Sequence, residues 1–128
     1  MSDSDYARLL RFRHDLRRFL HWSEDQARAA GLTPGQHQLL LAIKGHAGGE
    51  DPTIGELADY LVLQHHSVVG LVDRAEKAAL VKRSRDAEDH RVVRLQLAPK
   101  GRKLIERLSA AHLQELRQLR SFTLREPG

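Results

Sequence analysis

The sequence predicts a mainly α-helical chain that carries one small β-hairpin and has a long helix at each end. Three observations support this prediction. Apolar residues recur at the three- and four-residue spacing of helices along most of the 128 residues. The period changes to two at residues 92–97, VVRLQL, which is typical of a half-buried strand. Residues 45–52, GHAGGEDP, form the clearest loop, because glycine and proline interrupt regular structure.

Two helices are predicted before that loop. The first covers about residues 6–30, where apolar side chains follow helical spacing, arginines fill the other face and Gly31 supplies a stop. The second begins at residues 33–36, TPGQ, which have the spacing of a capping box with proline at the first helical position. Its apolar stripe continues to about Lys44.

Two shorter helices are predicted after the loop. Residues 53–56, TIGE, form a second capping box, and the apolar residues of the helix that follows share one face. The next helix begins near His65 and has four apolar residues on one side: Val68, Leu71, Val72 and Ala75. Two short helices joined by so brief a turn must cross steeply to share a core, which predicts a helix-turn-helix.

A hairpin and a last helix complete the predicted fold. Residues 81–85, VKRSR, pair with residues 92–97 across a polar tip at 86–90 that is too charged to bury. The last helix covers about residues 99–122. A hairpin attached to a helix-turn-helix makes a winged helix-turn-helix, which we place at about residues 33–98.

The two terminal helices, at about 6–30 and 99–122, are expected to form a dimer interface. Each has more apolar surface than a small central unit covers, and two-fold pairing is the commonest closed assembly. The alternative is that both helices fold back on their own domain.

Composition excludes several classes of protein. The chain has no cysteine, which rules out disulfides, thiolate metal sites and thiol redox sensing. We expect a cytoplasmic protein without a membrane partner, because no signal peptide and no apolar run of about 18 residues is found. Residues 81–103 carry a net charge of +5 while the whole chain carries +4. This basic segment is either a solvated face or a surface for a polyanion.

From residue 53 to residue 101 the sequence resembles the MarR family of winged helix-turn-helix transcriptional regulators. The matching stretches are TIGELADYL, HHSVVGLVDRAEKAALVKR and the wing DAEDHRVVRLQLAPKG, and the earlier LTPGQHQLLLAI is similar to the family's preceding helix. The resemblance implies a single MarR-like domain over residues 1–128. It also implies a homodimer that binds a pseudo-palindromic double-stranded DNA operator as a repressor, relieved by a small ligand.

Three positions depart from the family pattern. Ala79 and Val62 stand where glycine is frequent, and Ala98 replaces the threonine that usually caps the last helix. We expect a left-handed cap at Ala79 to be strained, and the last helix to begin at Pro99 without a side-chain acceptor.

The candidate DNA-reading residues lie at the start and on the outward face of the helix that begins near His65, because recognition helices meet base edges there. His66 and Ser67 offer hydrogen-bonding groups, and Val69 is suited to a thymine methyl. Gly70 would let the helix approach the groove closely. The predicted set is His65, His66, Ser67, Val69 and Gly70. For the two histidines, the alternative is that they are exposed without a role.

The wing supplies the second set of candidates. By resemblance, Arg91 reaches toward the minor groove and Asp89 orients it through an ion pair. The alternative is that this pair only stabilises the hairpin. Four further residues are expected to meet phosphates, which adds affinity and salt sensitivity but no sequence information: Arg83, Arg85, His90 and Arg94.

A small aromatic or lipophilic effector is implied by the resemblance, in a crevice between the dimerisation helices and the DNA-binding lobe. The candidate lining residues are His14, Arg18, Trp22 and His37, although ordinary helix packing also explains Trp22. We predict no metal site, because none of the eight histidines has close ligand pairing on a helix. We also predict no cofactor and no enzyme activity, because no nucleophile has an oriented base.

These observations leave two functions from different classes. The first is the sequence-specific DNA-binding regulator just described. The second is a dimeric protein-interaction module that keeps the winged scaffold without specific DNA binding. The short side chains around Gly70 leave room for the second function.

Overall fold

The computed structural model describes residues 1–119. Its elements are five helices and two strands: α1 (Asp3–Ala29), α2 (Pro34–Gly45), α3 (Ile54–Leu61), α4 (His65–Lys77), β1 (Val81–Arg85), β2 (Val93–Leu97) and α5 (Pro99–Gln118). The predicted fold class, mainly helical with a small hairpin, is therefore confirmed. The end of the predicted last helix, residues 120–122, lies outside the described residues.

Capping boxes begin three of the helices. The predicted boxes at Thr33 and Thr53 are both present, each with reciprocal side-chain and backbone hydrogen bonds. A third box, which the sequence analysis missed, joins Ser2 and Asp5 at the start of α1. It begins the helix at Asp3 instead of the predicted residue 6, because the Ser2 hydroxyl accepts the Asp5 N–H.

Three helices end in the same left-handed turn. After α1 the turn residue is Gly31, with φ +83°, as predicted from the glycine. After α3 and α4 it is Val62, with φ +53°, and Ala79, with φ +62°. At Ala79 the hydrogen bonds of the motif are complete, since Leu80 N–H donates to the Ala75 carbonyl at 2.9 Å. The left-handed cap thus forms without glycine, at a cost of about 1–2 kcal/mol per residue.

The core lies between α2 and the elements that surround it. Helix α2 contacts α1, α3, α4, α5 and β2. The four residues predicted to face inward from α4 are all buried, as are the largest core side chains: Leu39, Leu40, Leu57, Leu80, Leu95 and Ile105. At Gly101 a side chain would overlap the Leu80 carbonyl oxygen, so α5 begins in close contact with the backbone before β1.

The hairpin is antiparallel and its register runs from Val81 opposite Leu97 to Arg85 opposite Val93. It is extended by a single bridge between Thr53 and Arg94, and the Leu95 N–H donates to the Pro52 carbonyl at 2.9 Å. The chain before α3 therefore fixes the base of the wing next to the start of that helix.

Part of α1 and α5 presents exposed apolar side chains. Those on α1 are Tyr6, Leu9, Leu10, Phe12 and Leu20, and α5 adds Leu113. Among residues 1–119, none of the helices combines the length and the hydropathy needed to cross a membrane.

Candidate nucleic-acid interface

The outward side of α4 carries the five residues predicted to read bases. His65, His66 and Ser67 are exposed in the first turn and Gly70 is half-buried, while the half-buried Val69 also packs against the core. No side chain caps this helix, because Gln64 at the cap position makes no cap hydrogen bond. The first N–H groups of the helix therefore receive no hydrogen bond from a capping side chain.

A groove of about 450 Å³ separates α4 from the wing. It brings the start of α3, two of the predicted α4 residues and two of the predicted wing arginines to one surface. The lining residues are Thr53, Ile54, Gly55, His65, Val69, Arg83, Arg91, Val92 and Val93. The two arginines are suited to a phosphodiester backbone, whereas most of the remaining lining is apolar.

The wing tip holds Arg91 in a two-pronged ion pair with Asp89. Arg91 Nε donates to Asp89 Oδ1 at 3.0 Å and Nη2 donates to Oδ2 at 3.1 Å. The same Oδ1 accepts the Arg91 backbone N–H at 3.1 Å. These bonds from Arg91 lower the pKa of Asp89 below its ordinary value. The ion pair that the resemblance implied is present, and the arginine side chain is 91% exposed.

Arg94 lies deeper in the wing and is engaged by three oxygens. Its guanidinium donates to Asp86 Oδ1 at 2.7 Å and to the Asp51 carbonyl at 2.7 Å, and pairs with Glu50 Oε2 at 2.6 Å. Its side chain is only 22% exposed. The hydrogen bond from Arg94 is the main cause of the lowered pKa of Asp86. The predicted phosphate contact of Arg94 stays a prediction, and this engagement weighs against it.

The other three wing candidates differ in how free they are to meet phosphate. Arg83 is paired with two carboxylates of α4, Asp73 and Glu76. Arg85 donates from Nη1 to the His90 carbonyl at 2.9 Å, which closes the tip. The His90 side chain is exposed at the tip. The sequence analysis missed the acidic partners of Arg83 and Arg94, because they come from α4 and from the loop before α3.

Residues 30–92, from the end of α1 to the wing tip, match the model of the MarR family. The fold of the whole described chain agrees, since it is similar to a MarR family protein from Bacillus stearothermophilus. That structure is 28% identical, with a TM-score of 0.78 over 97% of this chain and 86% of the other. Over residues 30–92, and in its fold, the chain is similar to the MarR family.

Two further comparisons concern named MarR-like proteins. The chain is 39% identical over 74 residues to YsmB of Bacillus subtilis strain 168, an uncharacterised HTH-type transcriptional regulator. That match covers 57% of this chain and 51% of YsmB, so it spans about half the length of the relative. A mutant of MepR from S. aureus, bound to an oligodeoxyribonucleotide, shares the fold. It is 22% identical, with a TM-score of 0.71 over 98% of this chain and 87% of MepR.

Two of the four predicted effector residues meet in one aromatic cluster. The Trp22 and His37 rings lie 4.7 and 4.8 Å from the ring of His112, which the sequence analysis did not single out. His112 bonds Ser23 Oγ at 2.7 Å and the Leu108 carbonyl at 2.7 Å, and so connects α1 to α5. The other two candidates, His14 and Arg18, are exposed on α1.

The arrangement of the histidine and acidic side chains bears on metal binding. Within residues 1–119, no three histidine or acidic side chains are grouped closely enough to hold a metal ion.

Proposed function

We propose that this chain is a sequence-specific, double-stranded DNA-binding regulator of transcription that acts as a homodimer. One observation carries the proposal: a single groove is lined by His65 and Val69 of α4 on one side and by Arg83 and Arg91 of the wing on the other. A recognition helix beside an exposed arginine on a hairpin is an arrangement suited to adjacent grooves of a duplex.

Each part of the interface has a distinct role in the proposal. The first turn of α4 enters the major groove, where His66 and Ser67 meet base edges and Val69 meets a thymine methyl. Arg91 enters the neighbouring minor groove, where arginine is attracted by the negative potential of a narrow groove. Arg85 and His90 meet phosphates.

The exposed apolar residues of α1 and α5 support the homodimer. They are 42–67% exposed in the described chain, and a second copy packed on them would remove this surface from water at about 25 cal/mol per Å². A two-fold dimer would place two α4 helices about one DNA turn apart and so favour a pseudo-palindromic operator. We further propose that the bound dimer represses, and that it acts in the cytoplasm.

The predicted small effector belongs to the same proposal. The cluster of Trp22, His37 and His112 lies where α1, α2 and α5 meet, so a ligand there would bias the angle between the dimerisation helices and the DNA-binding lobe. Such a ligand acts only through different affinities for two arrangements. Because His37 is only 3% exposed, an aromatic or lipophilic molecule would have to displace part of this packing to reach the rings.

The test is selection of binding sites by the purified protein from a random duplex pool, followed by affinity measurements across salt concentrations. We expect an enriched inverted repeat and an affinity that falls steeply as salt rises. Arg91→Ala should weaken binding at least tenfold, about 1.4 kcal/mol, without changing the circular dichroism spectrum. Arg107→Ala, which removes the same charge from α5 outside the groove, serves as the control.

Two results would favour the protein-interaction module instead. One is the absence of any enriched sequence, and the other is equal binding by the Arg91 and Arg107 variants. The dimer is tested separately by sedimentation equilibrium. Leu113→Glu, at an exposed apolar position of α5, should shift the protein toward monomer, whereas Glu106→Gln on the same helix should not.

A further inference from the structure

We infer that Arg94 and Asp86 are positioning residues for Arg91: they shape the wing tip that presents this arginine to DNA, and neither contacts DNA itself. The inference rests on the proposed duplex binding and states how part of the affinity arises. It also replaces the sequence-based expectation that Arg94 meets phosphate. The supporting contacts form a chain of hydrogen bonds from the loop before α3 to the wing tip.

The first link ties the wing to that loop. Arg94 reaches Glu50 Oε2 at 2.6 Å and the Asp51 carbonyl at 2.7 Å, while Gln96 Nε2 donates to Asp51 Oδ2 at 2.7 Å. The Arg94 side chain uses Nε, Nη1 and Nη2 in these contacts and the one to Asp86. Because the guanidinium has a fixed fork geometry, it would have to break several of these bonds to reach a phosphate.

The second link runs through Asp86 at the end of β1. One oxygen, Oδ1, accepts the Arg94 bond at 2.7 Å. The other, Oδ2, accepts the backbone N–H groups of Glu88 at 3.1 Å and Asp89 at 3.0 Å. The side chain is only 16% exposed. One carboxylate therefore anchors the tip turn to β2 and fixes the backbone of Asp89.

The third link is the ion pair at the tip itself. Asp89 accepts three bonds from Arg91, one from the backbone and two from the guanidinium. Because the Arg91 side chain is 91% exposed, it would otherwise sample many rotamers. Ordering such a side chain on DNA would therefore cost affinity. The hydrogen bonds from Arg94 through Asp86 to Asp89 order the Arg91 side chain before DNA binds, and so reduce the entropy lost on binding.

Removing one negative charge from the wing tip tests the positioning role, because positioning and simple electrostatics predict opposite changes in DNA affinity. Asp86→Asn removes a negative charge from a DNA-facing hairpin, so electrostatics alone predicts tighter binding. Positioning predicts weaker binding, because an amide cannot accept both the Arg94 bond and the two N–H bonds. Glu88→Gln removes the same charge from an exposed carboxylate at the same tip and is the matched control. The probe is the duplex that the wild-type protein enriches from a random pool.

We expect Asp86→Asn to weaken binding by about threefold to tenfold, and Glu88→Gln to tighten it or leave it unchanged. In an Arg91→Ala background, Asp86→Asn and Arg94→Gln should have no further effect on affinity, because both act through Arg91. Equal tightening by the Asp86 and Glu88 variants would overturn the inference. So would a lower salt slope for Arg94→Gln in the Arg91→Ala background, which would show a direct phosphate contact.

A measurement without DNA distinguishes failure of the inference from failure of the proposed function. In the NMR spectrum of the free protein, the Arg91 Nε–H should exchange slowly with water because Asp89 accepts it. Asp86→Asn should speed that exchange and Glu88→Gln should not; equal exchange in the two variants would overturn the positioning role. If the wild-type protein binds no duplex, the proposed function fails and the claim about DNA affinity fails with it. Thermal melts show which variants remain folded.

Discussion

Lowering the pH from about 7.5 to about 5 should destabilise the protein through His37. This side chain is 3% exposed, and burial together with the neighbouring His112 lowers its pKa to about 4. In the unfolded chain its pKa is about 6.5, so between these values the unfolded state binds more protons. The unfolding free energy therefore falls as the pH falls from about 6.5 toward 4. The full loss is about 3 kcal/mol, of which about 2 kcal/mol is reached at pH 5.

The assay is urea denaturation at several values between about pH 5 and pH 7.5, at a fixed protein concentration because a dimer would otherwise change the apparent stability. His37→Phe keeps an aromatic ring against His112 but does not titrate. Between pH 7.5 and pH 5, the unfolding free energy of this variant should fall by about 2 kcal/mol less than that of the wild type. The control is His14→Gln, an exposed histidine of α1. An identical pH dependence in wild type and His37→Phe would refute the reasoning.

Three further substitutions follow from local geometry. Ala79→Gly should stabilise the protein by about 1 kcal/mol in thermal melts, because glycine adopts the left-handed turn without the steric cost; a lower melting temperature would contradict this. Gly101→Ala should destabilise by about 2–4 kcal/mol, because its methyl group would overlap the Leu80 carbonyl; a variant as stable as wild type would show that α5 shifts freely. Asp73→Asn should tighten duplex binding and steepen its salt dependence by about one counterion, because Arg83 loses a partner; an unchanged salt slope would show that Arg83 stays on Glu76.

The helices and the hairpin were predictable because their signals are local. A capping box needs four neighbouring residues, so the boxes at Thr33 and Thr53 identified two helix starts correctly. The alternation of residues 92–97 likewise identified β2. The left-handed turns at Val62 and Ala79 carry no glycine signal. At Ala79 the burial of the following residue, Leu80, stabilises the turn against the local preference.

The contacts that shape the candidate site are separated widely in sequence. Arg94 binds the Asp51 carbonyl 43 residues away, and His112 bonds Ser23 across 89 residues. Arg94 was expected to face outward from the wing and meet phosphate, because no spacing rule in the sequence connects it to Glu50 or Asp86. The Asp89–Arg91 pair was predictable, since its partners are two residues apart and match a family motif.

The lack of a side chain at Gly70 has a consequence for the proposed DNA-binding surface. A side chain added there would meet only the far end of the flexible Arg74 side chain, at 3.3 Å. Replacing a glycine inside a helix also gains about 1 kcal/mol of helix stability. Most changes to a binding surface cost stability, whereas this position offers a new contact together with a more stable helix. In the proposed interface, a single codon change at Gly70 would therefore add a side chain that faces DNA without destabilising the helix.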